Sequence, residues 1–226
     1  MRPSLKAIKA NLLLLSLSGI LIGYNWILLF ESYQYTSVAI ATLCYYMAPI
    51  FVMLVSPIFL KESLTLKKIT CIAVALSGMI LISGVLKVGF SDISELKGII
   101  LGLGAALFYA IVIILNKKIK EISAYDKTIM QLGTATVVLL PYTFLTETIS
   151  KTAFTPFVVL MLFIVGIVNT GIAYALYFGS MKNLKAQTIA LFSYIDPVVA
   201  IILSAVLLRE RMGIGEIVGA ILVLSA

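Results

Sequence analysis

The stretch from Ala186 to Arg211, AQTIALFSYIDPVVAIILSAVLLRER, has the pattern of one membrane-spanning helix with an Asp-Pro pair at its centre. A carboxylate in the middle of a hydrocarbon-length segment is costly, and such a residue indicates a functional position by default. The proline that follows it removes a backbone donor and frees the carbonyl of Ser193, four residues earlier. Asp196 is therefore the first candidate for a site residue.

The same pattern occurs earlier, in SVAIATLCYYMAPIFVMLVSPIFLKES from Ser37 to Ser63. Pro49 lies at mid-span as Pro197 does, and the two prolines are 148 residues apart. Glu62 and Glu210, at the ends of the two segments, have the same separation. Because Pro and Glu match without a gap at equivalent helix positions, we interpret the pattern as a duplication and not as chance register. Further identities at this offset are Gly23 and Gly171, Phe30 and Phe178, Ser32 and Ser180, Leu43 and Leu191, Tyr46 and Tyr194, Ser56 and Ser204, Leu60 and Leu208, and Ser77 and Ser225.

The composition is that of an integral membrane protein. Of the 226 residues, 62% are hydrophobic and 12% are charged, whereas a soluble domain is nearer half apolar and a quarter charged. The net charge of +7 comes from basic residues in short loops, where they set orientation rather than bind nucleic acid. The chain has no histidine, and Cys44 and Cys71 lie inside apolar spans. We therefore expect no enzymatic activity, no metal site and no cofactor.

Eight segments reach or approach the length of about 20 apolar residues that a transmembrane helix needs. The predicted fold is an all-α integral membrane protein, a polytopic bundle of about eight transmembrane helices. The eighth segment has about half the usual length of a span. The predicted helices, one to eight, are Leu12–Tyr33, Val38–Leu60, Ile69–Leu86, Ile99–Leu115, Ile129–Leu145, Phe157–Met181, Ala186–Leu208 and Ile214–Ala226.

The duplication relates helices one to three to helices six to eight. Because its period spans five helices, an odd number, the two copies cross the membrane in opposite directions, as in many secondary transporters. We predict two inverted-topology repeats, an incomplete first repeat over residues 1–86 and a second over 87–226 whose last helix is cut short. By this reasoning a complete protein has about ten helices. We expect the chain to be a fragment or a shortened product.

The basic residues predict how the chain is oriented. Loops that share a side with the N-terminus hold 12 of the 17 Lys and Arg residues, which favours a cytoplasmic N-terminus. Arg209 and Arg211 lie on the opposite side and are exceptions to this bias. We expect a multi-pass protein of the plasma or inner membrane.

Three pairs of glycines within apolar segments predict close helix packing, because small residues let helix backbones approach each other. We assign these glycines to helix contacts and not to chemistry. The pairs are Gly19 with Gly23, Gly98 with Gly102, and Gly215 with Gly219.

Two stretches resemble a known family. The first lies between Asn25 and Gly84 and contains ATLCYYMAP and FLKESLT, and the second is ALFSYIDPVVAIILSAVLLRERMGIGEIVGAIL. Each is similar to an EamA domain of the drug/metabolite transporter superfamily, and the resemblance covers nearly the whole chain. It implies a ten-helix permease of small metabolites that works by alternating access. It implies no particular substrate, because the superfamily handles amino acids, sugars, nucleotide-linked compounds and drugs.

Asp196 is the main candidate for a charged substrate contact, able to bind an ammonium group or to carry a proton. The alternative is a carboxyl group hydrogen-bonded to a neighbouring helix. Its repeat counterpart, Ala48, is apolar, so the charge is not part of the duplicated scaffold. The other candidate substrate contacts are the side chains of Tyr46, Tyr194, Asn25 and Asn169. The backbone carbonyls of Tyr45 and Ser193, which Pro49 and Pro197 free, are candidates as well.

Three further residues have predicted roles. Pro49 and Pro197 are predicted to kink helices two and seven. Glu31 is, with Asp196, a candidate for a coupling or gate residue, and a solvated helix end is the alternative. For the two asparagines, interhelical hydrogen bonds and ligand contact remain equally open.

The sequence thus predicts a secondary transporter, an importer or exporter of small metabolites such as amino acids, with proton coupling resting on Asp196. A non-transporting membrane fragment or partner subunit is the alternative, and a membrane-embedded lipid enzyme is less favoured. The expected partners are a small-molecule metabolite and the lipid bilayer, with no nucleic acid. A homodimer is compatible with the sequence.

Overall fold

The computed structural model describes residues 5–83, 85, 93–146, 155–208 and 213–225. Within these ranges all regular structure is helical and no strand occurs. Among the described residues, seven helical stretches are long and apolar enough to cross a membrane, and Ile214–Ser225 is a shorter apolar helix. This confirms the predicted all-α polytopic class.

The α-helices differ from the predicted spans mainly in their interruptions. Predicted helix two is divided after Tyr45, and predicted helix seven is divided after Phe192. Predicted helix six contains a π-helical segment, Ile164–Ile172. The helices are α1 Leu5–Tyr35, α2 Val38–Tyr45, α3 Ala48–Leu60, α4 Leu66–Ser83, α5 Ile93–Lys118, α6 Ala124–Thr146, α7 Pro156–Phe163, α8 Ala173–Ser180, α9 Ala186–Phe192, α10 Ile195–Leu203 and α11 Ile214–Ser225.

Two short elements complete the described chain. A 3-10 turn, Met181–Asn183, follows α8, and a second π-helical segment, Ser204–Leu208, follows α10. The predicted ends of helices three and eight, Leu86 and Ala226, lie outside the described residues, as does Glu210.

The breaks in predicted helices two and seven occur just before the two mid-span prolines. At the first break the Met47 N–H donates to the carbonyl of Cys44 at 3.1 Å, a bond that spans three residues instead of four. Tyr194 makes the same kind of bond to Leu191 at 3.1 Å. Pro49 then lies in the first turn of α3, where a helix needs no N–H donor from it. The prolines thus mark the starts of new helices, whereas the sequence predicted kinks within continuous ones.

The contacts divide the chain into two compact units, each built from separate parts of the sequence. The first unit comprises Met1–Tyr24 and Ile111–Leu184, and the second comprises Asn25–Ala110 and Lys185–Ala226. The long helices α1 and α5 each contribute to both units. This division follows contacts and does not coincide with the repeat boundary at residues 86–87, so the repeat assignment stays a prediction.

Glycines bring α4 and α11 together in the second unit. A Cβ atom on Gly78 would lie 2.6 Å from the carbonyl oxygen of Gly219, and one on Gly219 would lie 2.6 Å from that of Gly78. Beside this contact, a buried apolar cluster combines residues of α4, α10 and α11 with Tyr194; its members are Ala75, Met79, Tyr194, Val198, Ala220 and Val223. The close approach of α4 and α11 therefore supports the packing around Tyr194.

The other glycine pairs also lie at helix contacts. A Cβ atom on Gly19 would lie 2.5 Å from the carbonyl oxygen of Gln131 on α6, in the first unit. One on Gly102 of α5 would lie 2.9 Å from the Cβ of Cys44 on α2, in the second unit. The prediction of close packing is confirmed at these glycines. Gly215 differs, since its nearest neighbour, the carbonyl oxygen of Leu81, is 3.6 Å away.

Candidate functional site

Most of the predicted site residues belong to the second unit. Asn169 is the exception, because it lies in the first unit, exposed on the π-helical segment Ile164–Ile172. The remaining candidates all belong to the second unit. The candidates there are Asn25, Glu31, Tyr45, Tyr46, Pro49, Ser193, Tyr194, Asp196 and Pro197.

A hydrogen bond joins the two helix breaks. The hydroxyl of Tyr194 donates to the backbone carbonyl of Tyr46 at 3.1 Å. These two tyrosines occupy equivalent positions of the duplication, so the equivalent breaks meet each other. Tyr194 is 1% exposed and belongs to the apolar cluster described above. Its hydroxyl therefore holds the backbone of one break against the other.

Asp196 is the second residue of α10 and follows the break directly. Its side chain is exposed, and among the described residues no donor hydrogen-bonds to its carboxylate and no cation pairs with it. Tyr46 lies close enough to the carboxylate for the two groups to interact electrostatically. The position in the first turn of a helix favours a negative charge, because the peptide dipoles of α10 point their positive end there. The geometry provides a carboxyl group that can accept a hydrogen bond or bind a cation.

Aromatic rings surround the first break. The ring centroids of Tyr45 and Tyr46 are 6.4 Å apart, and those of Tyr45 and Tyr109 are 5.6 Å apart. Both Tyr45 and Tyr46 are half-buried, so part of each ring remains accessible. Tyr109 comes from the middle of α5. It lies outside the two similar segments, so the sequence did not predict it as a site residue.

Asn25 makes a helix contact. Its side-chain amide donates to the backbone carbonyl of Ala105 on α5 at 2.6 Å, and the residue is 2% exposed. The sequence left open whether Asn25 makes an interhelical hydrogen bond or contacts a ligand, and this geometry is that of the interhelical hydrogen bond. Glu31 lies further along α1 and is half-buried.

The carbonyl of Ser193, predicted to be freed by Pro197, accepts the backbone N–H of Asp196 at 3.4 Å. The hydroxyl of Ser193 donates to the carbonyl of Ala190 at 2.6 Å. The carbonyl and the hydroxyl of Ser193 thus both have partners in the chain around the break. Pro49 and Pro197 are both buried.

Glu62 connects the end of α3 to the beginning of α9. Its two carboxylate oxygens accept the backbone N–H groups of Ala186, at 2.8 Å, and Gln187, at 3.2 Å. The side-chain N–H of Gln187 in turn donates to the hydroxyl of Ser56 at 2.7 Å, and its side-chain oxygen accepts a hydrogen bond from the ammonium of Lys68. The sequence singled out Glu62 only by its separation of 148 residues from Glu210, and its partners in a distant part of the chain were not predicted.

No group of three or more Cys, Asp or Glu residues that could hold a metal ion occurs in the part of the chain that the structure describes.

Comparison with known proteins assigns the chain to a family. The model of the EamA-like transporter family matches residues 2–84 and 96–226. The chain belongs to this family. The resemblance of the two duplicated stretches to EamA domains is thereby confirmed, as is the multi-pass membrane class.

The relatives of this EamA-family chain are themselves named as transporters. It is 33% identical over 212 residues to the uncharacterized transporter YxxF of Bacillus subtilis, covering 92% of this chain and 66% of the relative. It is 28% identical over 194 residues to an uncharacterized transporter of Archaeoglobus fulgidus, covering 85% and 66% of the two chains. The chain thus spans about two thirds of the length of these relatives.

A solved crystal structure has the same fold. It superposes with a TM-score of 0.77 at 17% sequence identity, covering 94% of this chain and 84% of the other. At this level of identity the similarity concerns the fold of the EamA-family chain and not its substrate.

Proposed function

We propose that the protein is a secondary membrane transporter of small metabolites whose substrate site lies at the paired helix breaks of the second unit. Membership of the EamA-like transporter family and the names of the relatives support transport. The observation that carries the location of the site is Asp196, an exposed carboxylate without a partner among the described residues, beside Tyr46 at the start of α10.

Helix breaks inside the hydrocarbon region support the same location. Backbone that departs from the helix at membrane depth is tolerated only where it is buried in protein or lines a cavity. In transporters, substrate and coupling ions bind near mid-membrane at such interrupted helices. The breaks before α3 and α10 meet through the bond from Tyr194 to the Tyr46 carbonyl, so both contribute to one place.

The chemistry of this place favours a substrate with a cationic group and an apolar part, such as an amino acid. The Asp196 carboxylate would bind the ammonium group. The faces of Tyr45, Tyr46 and Tyr109 would contact the apolar part and attract the cation through their ring electrons. Asn25, whose amide is used between α1 and α5, would support the helices and not the substrate.

We further propose alternating access by two inverted repeats, with protons coupled to transport through Asp196. When an ammonium group binds, the carboxylate gives up the proton it held, so the site carries either the proton or the substrate and its charge stays balanced. We propose the plasma or inner membrane as the location, with a cytoplasmic N-terminus, on the distribution of Lys and Arg between the loops.

Flux measurements on the full chain in proteoliposomes test this function. We expect substrate-selective uptake from a panel of amino acids and small metabolites, and we expect Asp196→Asn to abolish it. Asp126→Asn is the matched control, because Asp126 lies in the first turn of α6 in the other unit. Selective flux that Asp196→Asn retains, with the same dependence on pH, would show that the site and the coupling are assigned wrongly.

The same reconstitution distinguishes a partner subunit from a transporter. If the chain alone is silent, flux appears once two further helices are supplied, and Asp196→Asn abolishes that flux, the site is supported and the chain acts as part of a larger protein. If both preparations are silent for every compound, transport by this chain is refuted.

A further inference from the structure

A basic cavity lies in the first unit. It has a volume of about 640 Å³ and is formed where α5, α6 and the turn after α8 meet. Four lysines line it, Lys117, Lys120, Lys127 and Lys182, against one carboxylate, Glu121. The lining therefore has an excess of three positive charges and favours an anionic occupant.

Lys127 is the most informative of these lysines. It is only 7% exposed, although lysines are almost never buried this deeply unless they are paired. No described residue gives its ammonium a hydrogen bond or an ion pair, and Lys117 is close enough to repel it. The ammonium itself lines the cavity, where a charge that is partly removed from water and has no counter-charge beside it is less stable than in bulk water. An anion in the cavity would remove this cost.

Lys117 fixes the wall of the cavity. Its ammonium donates to the carbonyls of Met181, at 2.9 Å, and Leu184, at 2.5 Å, in and after the turn that follows α8. These bonds hold the turn that carries Lys182 in place against the end of α5. The cavity is thus a formed site and not a chance grouping of mobile side chains.

An apolar groove of about 940 Å³ adjoins the basic cavity in the same unit. Ala124 and Gly179 line both, so the two spaces share a border. The groove runs between α6 and the chain from Gly166 to Ser180, where Ile129 and Leu176 contribute exposed apolar side chains. It also contains Thr128, whose buried hydroxyl has no partner in the described structure.

We propose that the cavity and the groove together bind one anionic phospholipid. Its phosphate would lie against Lys127 and Lys182, and an acyl chain would lie in the groove. Basic pockets between transmembrane helices bind anionic headgroups, and apolar surface beside them accepts the chains. A lipid fits better than free phosphate because only a lipid occupies both spaces. This site belongs to the first unit, whereas the proposed transport site belongs to the second.

Native mass spectrometry of the full chain in neutral detergent tests the headgroup site. We expect phosphatidylglycerol to bind more tightly than phosphatidylcholine with the same acyl chains, and Lys127→Met to lower that preference about fivefold. Lys182→Gln, at an exposed position of the lining, should lower it similarly and keeps the test valid if Lys127→Met folds poorly. Lys118→Gln is the control, since Lys118 is exposed and does not line the cavity. Equal binding of both lipids, or an equal effect of the control, overturns the proposal.

The groove is tested by filling it. A side chain at Gly166 would meet no atom within 4 Å and would project into the groove, so Gly166→Leu should weaken phosphatidylglycerol binding without a clash. Gly133→Leu is the matched control, because Gly133 is equally unobstructed but does not line the groove. Inorganic phosphate alone should raise the thermal unfolding midpoint far less than the lipid does. An equal effect of phosphate, or a groove variant that changes only the oligomeric state, overturns the lipid assignment.

Discussion

The contact between Gly78 of α4 and Gly219 of α11 should be intolerant of a single methyl group. In Gly219→Ala the new Cβ would lie 2.6 Å from the Gly78 carbonyl oxygen and 2.8 Å from the Ile82 side chain. The Gly78 oxygen belongs to a helix backbone and cannot rotate away, so α4 and α11 must separate. Overpacking of this kind costs about 1–3 kcal/mol.

Part of that cost is offset because alanine is the better helix former, by at most about 1 kcal/mol. We therefore expect Gly219→Ala to lower the free energy of unfolding by about 1–2 kcal/mol. Gly215→Ala is the matched control on the same helix, since its nearest neighbour at 3.6 Å is an ordinary contact. That variant should be neutral or slightly stabilised.

Equilibrium unfolding in mixed micelles with increasing SDS measures both variants under the same conditions. The contact also supports the cluster around Tyr194, so Gly219→Ala should weaken substrate binding as well as stability. If Gly219→Ala unfolds at the same SDS fraction as Gly215→Ala, the close approach of α4 and α11 is wrong. The same result would remove the argument that this contact positions the breaks.

Two further substitutions separate structural from functional residues. Glu62→Ala removes the carboxylate that accepts the N–H groups of Ala186 and Gln187. We expect it to lower the free energy of unfolding by about 1–2 kcal/mol, and Glu62→Gln to lower it by about half as much. Equal thermal unfolding midpoints for both variants and the unchanged protein would contradict the capping role. Asn25→Ala removes the hydrogen bond to the Ala105 carbonyl and should lower the free energy of unfolding by about 1 kcal/mol. The relative transport rates of different substrates in proteoliposomes should stay unchanged. A changed substrate preference would instead make Asn25 a ligand contact.

Much of the fold was predictable because hydropathy is a local property. Each run of apolar residues long enough to span the bilayer can be recognised without knowing its neighbours. The apolar composition and the resemblance to EamA domains likewise follow from the residues themselves, and the family match confirms that resemblance. The position of Asp196 beside a mid-span proline was visible for the same reason.

The positions of the helix breaks were only partly predictable. Pro49 and Pro197 indicated irregular backbone, but a proline is compatible both with a kink and with the first turn of a new helix. The choice depends on what the surrounding residues offer the backbone. Here the hydroxyl of Tyr194 stabilises the carbonyl of Tyr46, from a position 148 residues away in the chain.

The sequence by itself determined the membrane class, the approximate limits of the spans and the family. The tertiary structure alone decided which polar side chains are accessible to a ligand and which form hydrogen bonds between helices. Asn25 is bound to a backbone carbonyl, whereas Asp196 is exposed beside Tyr46 and Lys127 is buried in a basic cavity. The reason is physical: apolar length acts additively along one segment, whereas a hydrogen bond or a buried charge depends on atoms that only folding brings together.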